Sequence, residues 1–278
     1  MAKRKVRRNI VTVNNVSLFY RDTGSQNPSM LCLHGRWGRG ETWTDLMVRY
    51  EDRFRIIAPD QRGHGLSDKT EGPYTADQLA ADAHELVRLL GCLPVTVVGH
   101  SMGGRVAGYL ASLYPEAVRA AAILDETGAG ASRATDLSAQ ATGNDDGLTS
   151  SWPTPYRTYD DALRDLSSRF ERATNVRYFL ESLVERPEGY DFLFSRRAMA
   201  LIRKSYRDWH DMLRRIQCPV LLVRAKDSWC LSEEEAGRMR TDVKDCTYSE
   251  ITGSDHMVYA DNPNEFYAVF EDFINRVT

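Results

Sequence analysis

One stretch constrains this chain more than any other: Pro94-Val95-Thr96-Val97-Val98-Gly99-His100-Ser101-Met102-Gly103-Gly104-Arg105-Val106. A run rich in β-branched residues ends at Gly99, and a helical pattern begins directly after it, with Val106, Leu110 and Leu113 on one face. Between the two lies Gly99-x-Ser101-x-Gly103, the spacing of a serine on a sharp, strained strand-to-helix turn. Side chains at the glycine positions would collide with the neighbouring strand and prevent close helix packing. Such a turn also sets the hydroxyl at the positive end of a helix, beside free backbone N–H groups able to hold an oxyanion.

Strands and helices alternate around this turn. Ile10 to Val13 and Val16 to Tyr20 read as a hairpin closed by Asn14-Asn15, residues that tolerate positive φ. Strand patterns follow at Ser29 to Leu33 and Arg55 to Pro59, with a helix over Thr42 to Tyr50 between them. Ala76 to Leu90 repeats every 3.6 residues, with Leu79, Ala83, Leu86, Val87 and Leu90 on one face. Helix 102–114 and strand Val118 to Asp125 continue the alternation. After an interruption it resumes with strand 218–224, helix 232–240, strand Thr247 to Ile251 and helix 264–276. This order predicts an α/β fold: a mostly parallel sheet of about eight strands, covered on both faces.

The interruption is long. Gly128 to Ser151 is rich in Gly, Ala, Ser and Thr and reads as a mobile loop. From Tyr159 to about Met212 the pattern is helical, dense in arginine and aromatics, without a strand run. The expected organisation is therefore a core of 1–126 and 213–278 carrying a helical cap at 127–212.

Composition narrows the function classes. At 278 residues the chain is long enough for one large domain with an insertion. A net charge of −3 argues neither for nucleic acid nor for a membrane surface, and the expected partner is a small-molecule substrate, with no nucleic acid and no membrane. Apolar runs stay well short of a bilayer span. The basic start, Met1 to Arg8, lacks the apolar segment of a secretory signal and reads as a solvated tail. Five unclustered cysteines (32, 92, 218, 230, 246) read as reduced thiols of a cytoplasmic protein. The His/Cys/Asp groupings lack metal-ligand spacing, and a dinucleotide fingerprint is missing after the first strand, so neither metal nor organic cofactor is expected.

Four motifs stand in order: His34-Gly35, Asp60-Gln61-Arg62-Gly63-His64-Gly65-Leu66-Ser67, Gly99-His100-Ser101-Met102-Gly103-Gly104 and Gly253-Ser254-Asp255-His256. With them the chain resembles enzymes of the α/β-hydrolase fold over nearly its whole length apart from the cap. The resemblance implies a cofactor-independent serine hydrolase. Ser101 is the expected nucleophile, and His256, in the loop after the last strand, the base and later the acid. The oxyanion hole is expected from the backbone N–H groups of Met102 and Arg36. Asp60 and Arg62 read as staples of their own loop; His34, His64 and His100 as residues that orient backbone; His84 and His210 as helix-surface residues.

The triad acid has two candidates. Most relatives place it after the strand at 220–224, where counting from Ala225 brings it to Ser228, with Asp227 one residue early. A subset takes it from the end of the strand after the nucleophile helix. Asp125, twenty-four residues beyond Ser101, fits that subset. Register places Asp125 ahead of Asp227.

A serine at the elbow excludes relatives with an aspartate nucleophile and leaves an ester, lactone, thioester, amide or carbon–carbon hydrolase. The Asp60–Ser67 loop, the Asp125 spacing and the missing aspartate at 228 together resemble amidohydrolases of enamide diacids, of the (E)-2-(acetamidomethylene)succinate hydrolase kind, alongside small-molecule esterases and lactonases. Arg36 and Arg105, with Trp37 and His34, are the expected substrate-binding residues; Arg196, Arg197 and Arg203 are weaker candidates for an anion pocket. Two other readings stay open: a ligand-binding or signalling protein on the hydrolase fold, and a cofactor-free oxygenase or lyase.

Overall fold

A computed structural model describes residues 6–130 and 146–278. In chain order, β1 (Arg7–Val13), β2 (Val16–Asp22) and β3 (Ser29–Leu33) precede α1 (Thr44–Tyr50), β4 (Arg55–Pro59) and α2 (Ala76–Leu89). Then come β5 (Val95–His100), α3 (Met102–Leu113) and β6 (Val118–Leu124). The insertion holds α4 (Tyr159–Arg169), α5 (Ala173–Leu180), β7 (Leu183–Arg186), β8 (Gly189–Phe192), α6 (Arg196–Ser205) and α7 (His210–Leu213). The core ends with β9 (Val220–Ala225), α8 (Glu233–Asp242), β10 (Cys246–Ile251), α9 (Val258–Asp261) and α10 (Pro263–Val277).

Eight strands form one sheet in the order β1-β2-β4-β3-β5-β6-β9-β10. The β1–β2 and β2–β4 pairs are antiparallel and every other pair is parallel. Alternation along each strand feeds two cores. In β3, Leu31 and Leu33 face the α2/α3 layer, while Met30 and Cys32 face α1 and α10. The α2/α3 core runs on into the insertion through Trp209, which sits over α3 so closely that a Cβ on Gly108 would meet its ring at 2.3 Å.

The insertion differs from the expected all-helical cap. Leu183–Arg186 pairs with Gly189–Phe192 as an antiparallel hairpin, separate from the main sheet. Its turn needs Gly189 at φ +127, and its strands are too short and half-exposed to print a period-2 signal in the sequence. Most of the expected mobile loop at 128–151 lies outside the described residues. So do residues 1–5 of the expected tail, although Arg7 and Arg8 already pair within β1.

Among the described residues no helix is long and apolar enough to cross a membrane, and all five cysteines are free thiols.

Candidate active site

The loops that leave β3, β5, β6, β9 and β10 at their carboxyl ends gather at one edge of the sheet, where open α/β sheets bind ligands. Ser101 directly follows β5 and caps α3 with φ +52 and ψ −125, a conformation that side chains rarely adopt. Two close approaches hold it there. A Cβ on Gly99 would fall 2.0 Å from the Gly103 carbonyl oxygen, and one on Gly103 would fall 2.2 Å from that of Leu33. Only glycine lets the helix start this near both strands. Met102 is the first helical residue, so its N–H has no partner within the helix.

Asp125 directly follows β6, also at positive φ (+48), and is fully buried. Its Oδ2 accepts from His256 Nδ1 at 2.7 Å and from Ser228 Oγ at 2.8 Å, while Oδ1 accepts from Ala225 N at 2.8 Å. All three partners are donors, which complements the acceptor oxygens of the Asp125 side chain. Asp227 is exposed, its N–H bonded to the Ser254 carbonyl. The position one residue further on holds Ser228, which supports Asp125. His256 lies under the Trp229 ring, 4.4 Å between centroids, and its carbonyl accepts from His100 Nε2 at 3.0 Å.

A cleft of about 530 Å³ opens over Ser101 and His256. Gly35, Arg36 and Trp37 form its core-side wall, and Phe170, Tyr178 and Phe179 its cap-side wall. Gly35 approaches the elbow closely: a Cβ there would lie 3.3 Å from that of Ser101.

Of the arginines lining the cleft, Arg169 pairs with Asp165 at 2.8 Å and Arg172 with Asp255 at 2.9 Å. Arg36 has no carboxylate partner among the described residues. Its guanidinium stacks on the Trp37 ring at 3.9 Å, and its buried Nη1 is without a hydrogen bond. Burial pushes the Arg36 guanidinium down from its ordinary value, opposed by the charges of Tyr206, Asp146 and Glu126.

Two expected substrate-binding residues stand elsewhere. Arg105, 2% exposed, is outside the cleft lining; it donates to Glu126 Oε1 and to the carbonyls of Arg207, Thr127 and Ala129, and stacks on Tyr206. It ties the root of the insertion to α3. His34, fully buried, donates from Nδ1 to the Gly35 carbonyl and accepts the Gln61 N–H at Nε2, which clamps two loops together. Burial lowers its pKa to about 3, so it stays neutral. Arg196 and Arg197 engage Thr154 and Glu71 instead of the cleft. His210, expected on a helix surface, is buried between Asp242 and Glu235. The Asp60 carboxylate takes Arg21, the Gly40 N–H and the Leu66 N–H, and Arg62 pairs with Asp82, so both fasten their loop.

Trp229 and Tyr178 line the cleft and Ser182 bonds the Trp37 carbonyl behind it, three contacts that the sequence reading missed. Trp229 carried one weak signal, its place in the loop after a parallel strand. The other two gave none, because their contacts are made across the cap.

This fold and site define a class of protein. The chain belongs to the alpha/beta hydrolase family, whose model matches residues 30–269, and it is an enzyme that hydrolyses small substrates. It is 31% identical over 273 residues to the 2-(acetamidomethylene)succinate hydrolase of Mesorhizobium japonicum, across 95% of this chain and 94% of that protein. The crystal structure of an E-2-(acetamidomethylene)succinate hydrolase superposes with a TM-score of 0.87 at 29% identity, covering 98% of this chain and 100% of the other. A bifunctional esterase/perhydrolase of Acinetobacter calcoaceticus is 26% identical over 84% of this chain and 87% of its own.

Proposed function

We propose that the enzyme is a serine hydrolase of a small, carboxylate-bearing acyl compound, an amide or ester, and that Ser101, His256 and Asp125 form its triad. The contact of Asp125 Oδ2 with His256 Nδ1, in the cleft that also holds the strained Ser101, carries this reading.

Ser101 Oγ attacks the substrate carbonyl while His256 Nε2 takes the hydroxyl proton. Asp125 holds the ring in the Nδ1–H tautomer and stabilises the imidazolium that forms. Negative charge develops on the carbonyl oxygen beside the N–H groups of Met102 and Arg36. His256 then protonates the leaving group, and a water activated by the same imidazole frees the acyl-enzyme.

The Arg36 side chain supports the carboxylate preference. A half-buried guanidinium with a buried, unbonded Nη1 and no carboxylate partner among the described residues leaves a donor unsatisfied, and a substrate anion would satisfy it through a charge-assisted hydrogen bond. Similarity to hydrolases whose name contains a succinate agrees with it.

A fluorophosphonate probe followed by peptide mapping tests the nucleophile, and a panel of amides and esters with and without a carboxylate tests the substrate class. Label on Ser101 is expected. Ser101→Ala should lose both label and turnover, the latter by up to about a million-fold. Near-normal turnover in that variant would end the serine-hydrolase reading.

A further inference from the structure

The loop that offers the Arg36 N–H is fastened from two sides. On the core side, His34 and Gln61 fix its entry: His34 Nδ1 donates to the Gly35 carbonyl at 2.8 Å, and Gln61 Nε2 to the His34 carbonyl at 2.7 Å. Its apex has no comparable core partner among the described residues. There Trp37 sits at φ +67, and the turn closes with the Gly38 N–H on the Gly35 carbonyl at 3.2 Å. A tryptophan in that region is strained and needs surrounding structure to keep it there.

The cap supplies that structure. The Tyr178 hydroxyl on α5 donates to the Arg36 carbonyl at 3.2 Å, and Ser182 Oγ, just past α5, donates to the Trp37 carbonyl at 2.9 Å. The Trp37 indole N–H in turn donates to Asp146 Oδ2 at 2.8 Å. Tyr178, Ser182 and Asp146 are all buried. The fit is close: a Cβ on Gly38 would fall 2.1 Å from the Tyr178 hydroxyl oxygen, and one on Gly35 would fall 3.0 Å from it.

We propose that Tyr178 and Ser182 are positioning residues of the oxyanion hole: Ser182 holds the Trp37–Gly38 peptide, whose N–H bonds the Gly35 carbonyl and so steadies the peptide plane that carries the Arg36 N–H, while Tyr178 holds the Arg36–Trp37 peptide between them. This rests on the serine-hydrolase reading above. It adds that the cap shares in holding the hole, so the rate of chemistry at Ser101 depends on the contacts that Tyr178 and Ser182 bring from the cap.

The test uses the full-length protein with Ser182→Ala, Tyr178→Phe, the double variant and Ser182→Thr. The end point of fluorophosphonate labelling counts folded, competent sites. The labelling rate and the turnover of p-nitrophenyl acetate report the hole, since both reactions build charge on an oxygen aimed into it. Each single loss should lower both rates about 10-fold and the double about 100-fold, the scale of a misplaced oxyanion donor. The fall should appear equally in kcat and kcat/KM, because the interaction is made in the transition state. Ser182→Thr, which keeps the hydroxyl, should restore the rate. Unchanged rates at full labelling end point would overturn the proposal, as would a threonine variant as slow as the alanine one. If Tyr178→Phe does not fold, Ser182→Ala and Ser182→Thr still decide. Wild-type enzyme that takes no label at Ser101 would overturn the serine-hydrolase reading itself, and does so before any variant is made.

Discussion

Ser228 donates its hydroxyl to Asp125 across the gap between the ends of β9 and β6, at 2.8 Å. The same Oγ accepts the N–H groups of Cys230 and Leu231 at 3.1 and 2.8 Å, which pins the serine and aims its proton at the carboxylate. A loop position that carries the acid in most relatives here carries a donor to an acid one strand away. The two strands are adjacent in the sheet, so a carboxylate from either reaches the same ring nitrogen.

That arrangement predicts the outcome of exchanging the two candidates. Asp125→Asn should lose about four decades of kcat, because an amide favours the wrong imidazole tautomer and cannot stabilise the imidazolium. Asp227→Asn should change kcat little, since its carboxylate is exposed and away from the ring. Steady-state kinetics of the two variants decide it, and the reverse pattern would move the acid to Asp227.

The contact of Asp125 with His256 is legible from the sequence and the arginine contacts are not, which follows from what sequence encodes. Ser101 and Asp125 directly follow strands and His256 lies in the loop after β10, and strands such as Val95–His100 announce themselves by β-branched runs. The two asparagines of the first hairpin do take positive φ, as their chemistry allows. Arg105 was misread because its partners lie at 126–129 and 207, at contacts no local pattern reports. His210 reads as a surface residue because α7, four residues long, has no period that shows a buried face. Tyr178 and Ser182 were invisible for the same reason: a hydrogen bond across 142 residues of chain leaves no local trace.

Acid should destabilise the fold through buried histidines as well as carboxylates. Burial lowers the pKa of His34 from 6.5 to about 3, and lowers His64 and His100 well below 6.5, with like-charged neighbours adding to the effect. The folded state keeps these rings neutral while the unfolded chain protonates them below 6.5. Their contribution is therefore fully present above pH 6.5 and is lost as pH falls toward about 3. Each such ring adds a slope of up to about 1.4 kcal/mol per pH unit. Denaturant unfolding between pH 7 and 4 measures it. His34→Asn should be less stable at neutral pH yet show a shallower slope; an unaltered slope would remove His34 from the account.

Arg36 and Arg105 separate recognition from stability. Arg36→Met keeps the backbone N–H of the oxyanion hole and removes only the guanidinium, which has no carboxylate partner among the described residues. A charge-assisted bond to a carboxylate contributes roughly 1.5–3 kcal/mol, or one to two decades. The variant should raise KM for carboxylate-bearing substrates by about 10- to 100-fold, leave neutral esters nearly unchanged, and unfold at a similar denaturant concentration. Arg105→Met should behave in the opposite way. It strands Glu126, 1% exposed, without its cation, and breaking a buried pair costs about 3–5 kcal/mol. Its loss should therefore appear in the unfolding free energy, with KM ratios between charged and neutral substrates preserved in the folded fraction. Equal effects of Arg36→Met on both substrate classes would make that arginine structural and withdraw the carboxylate preference.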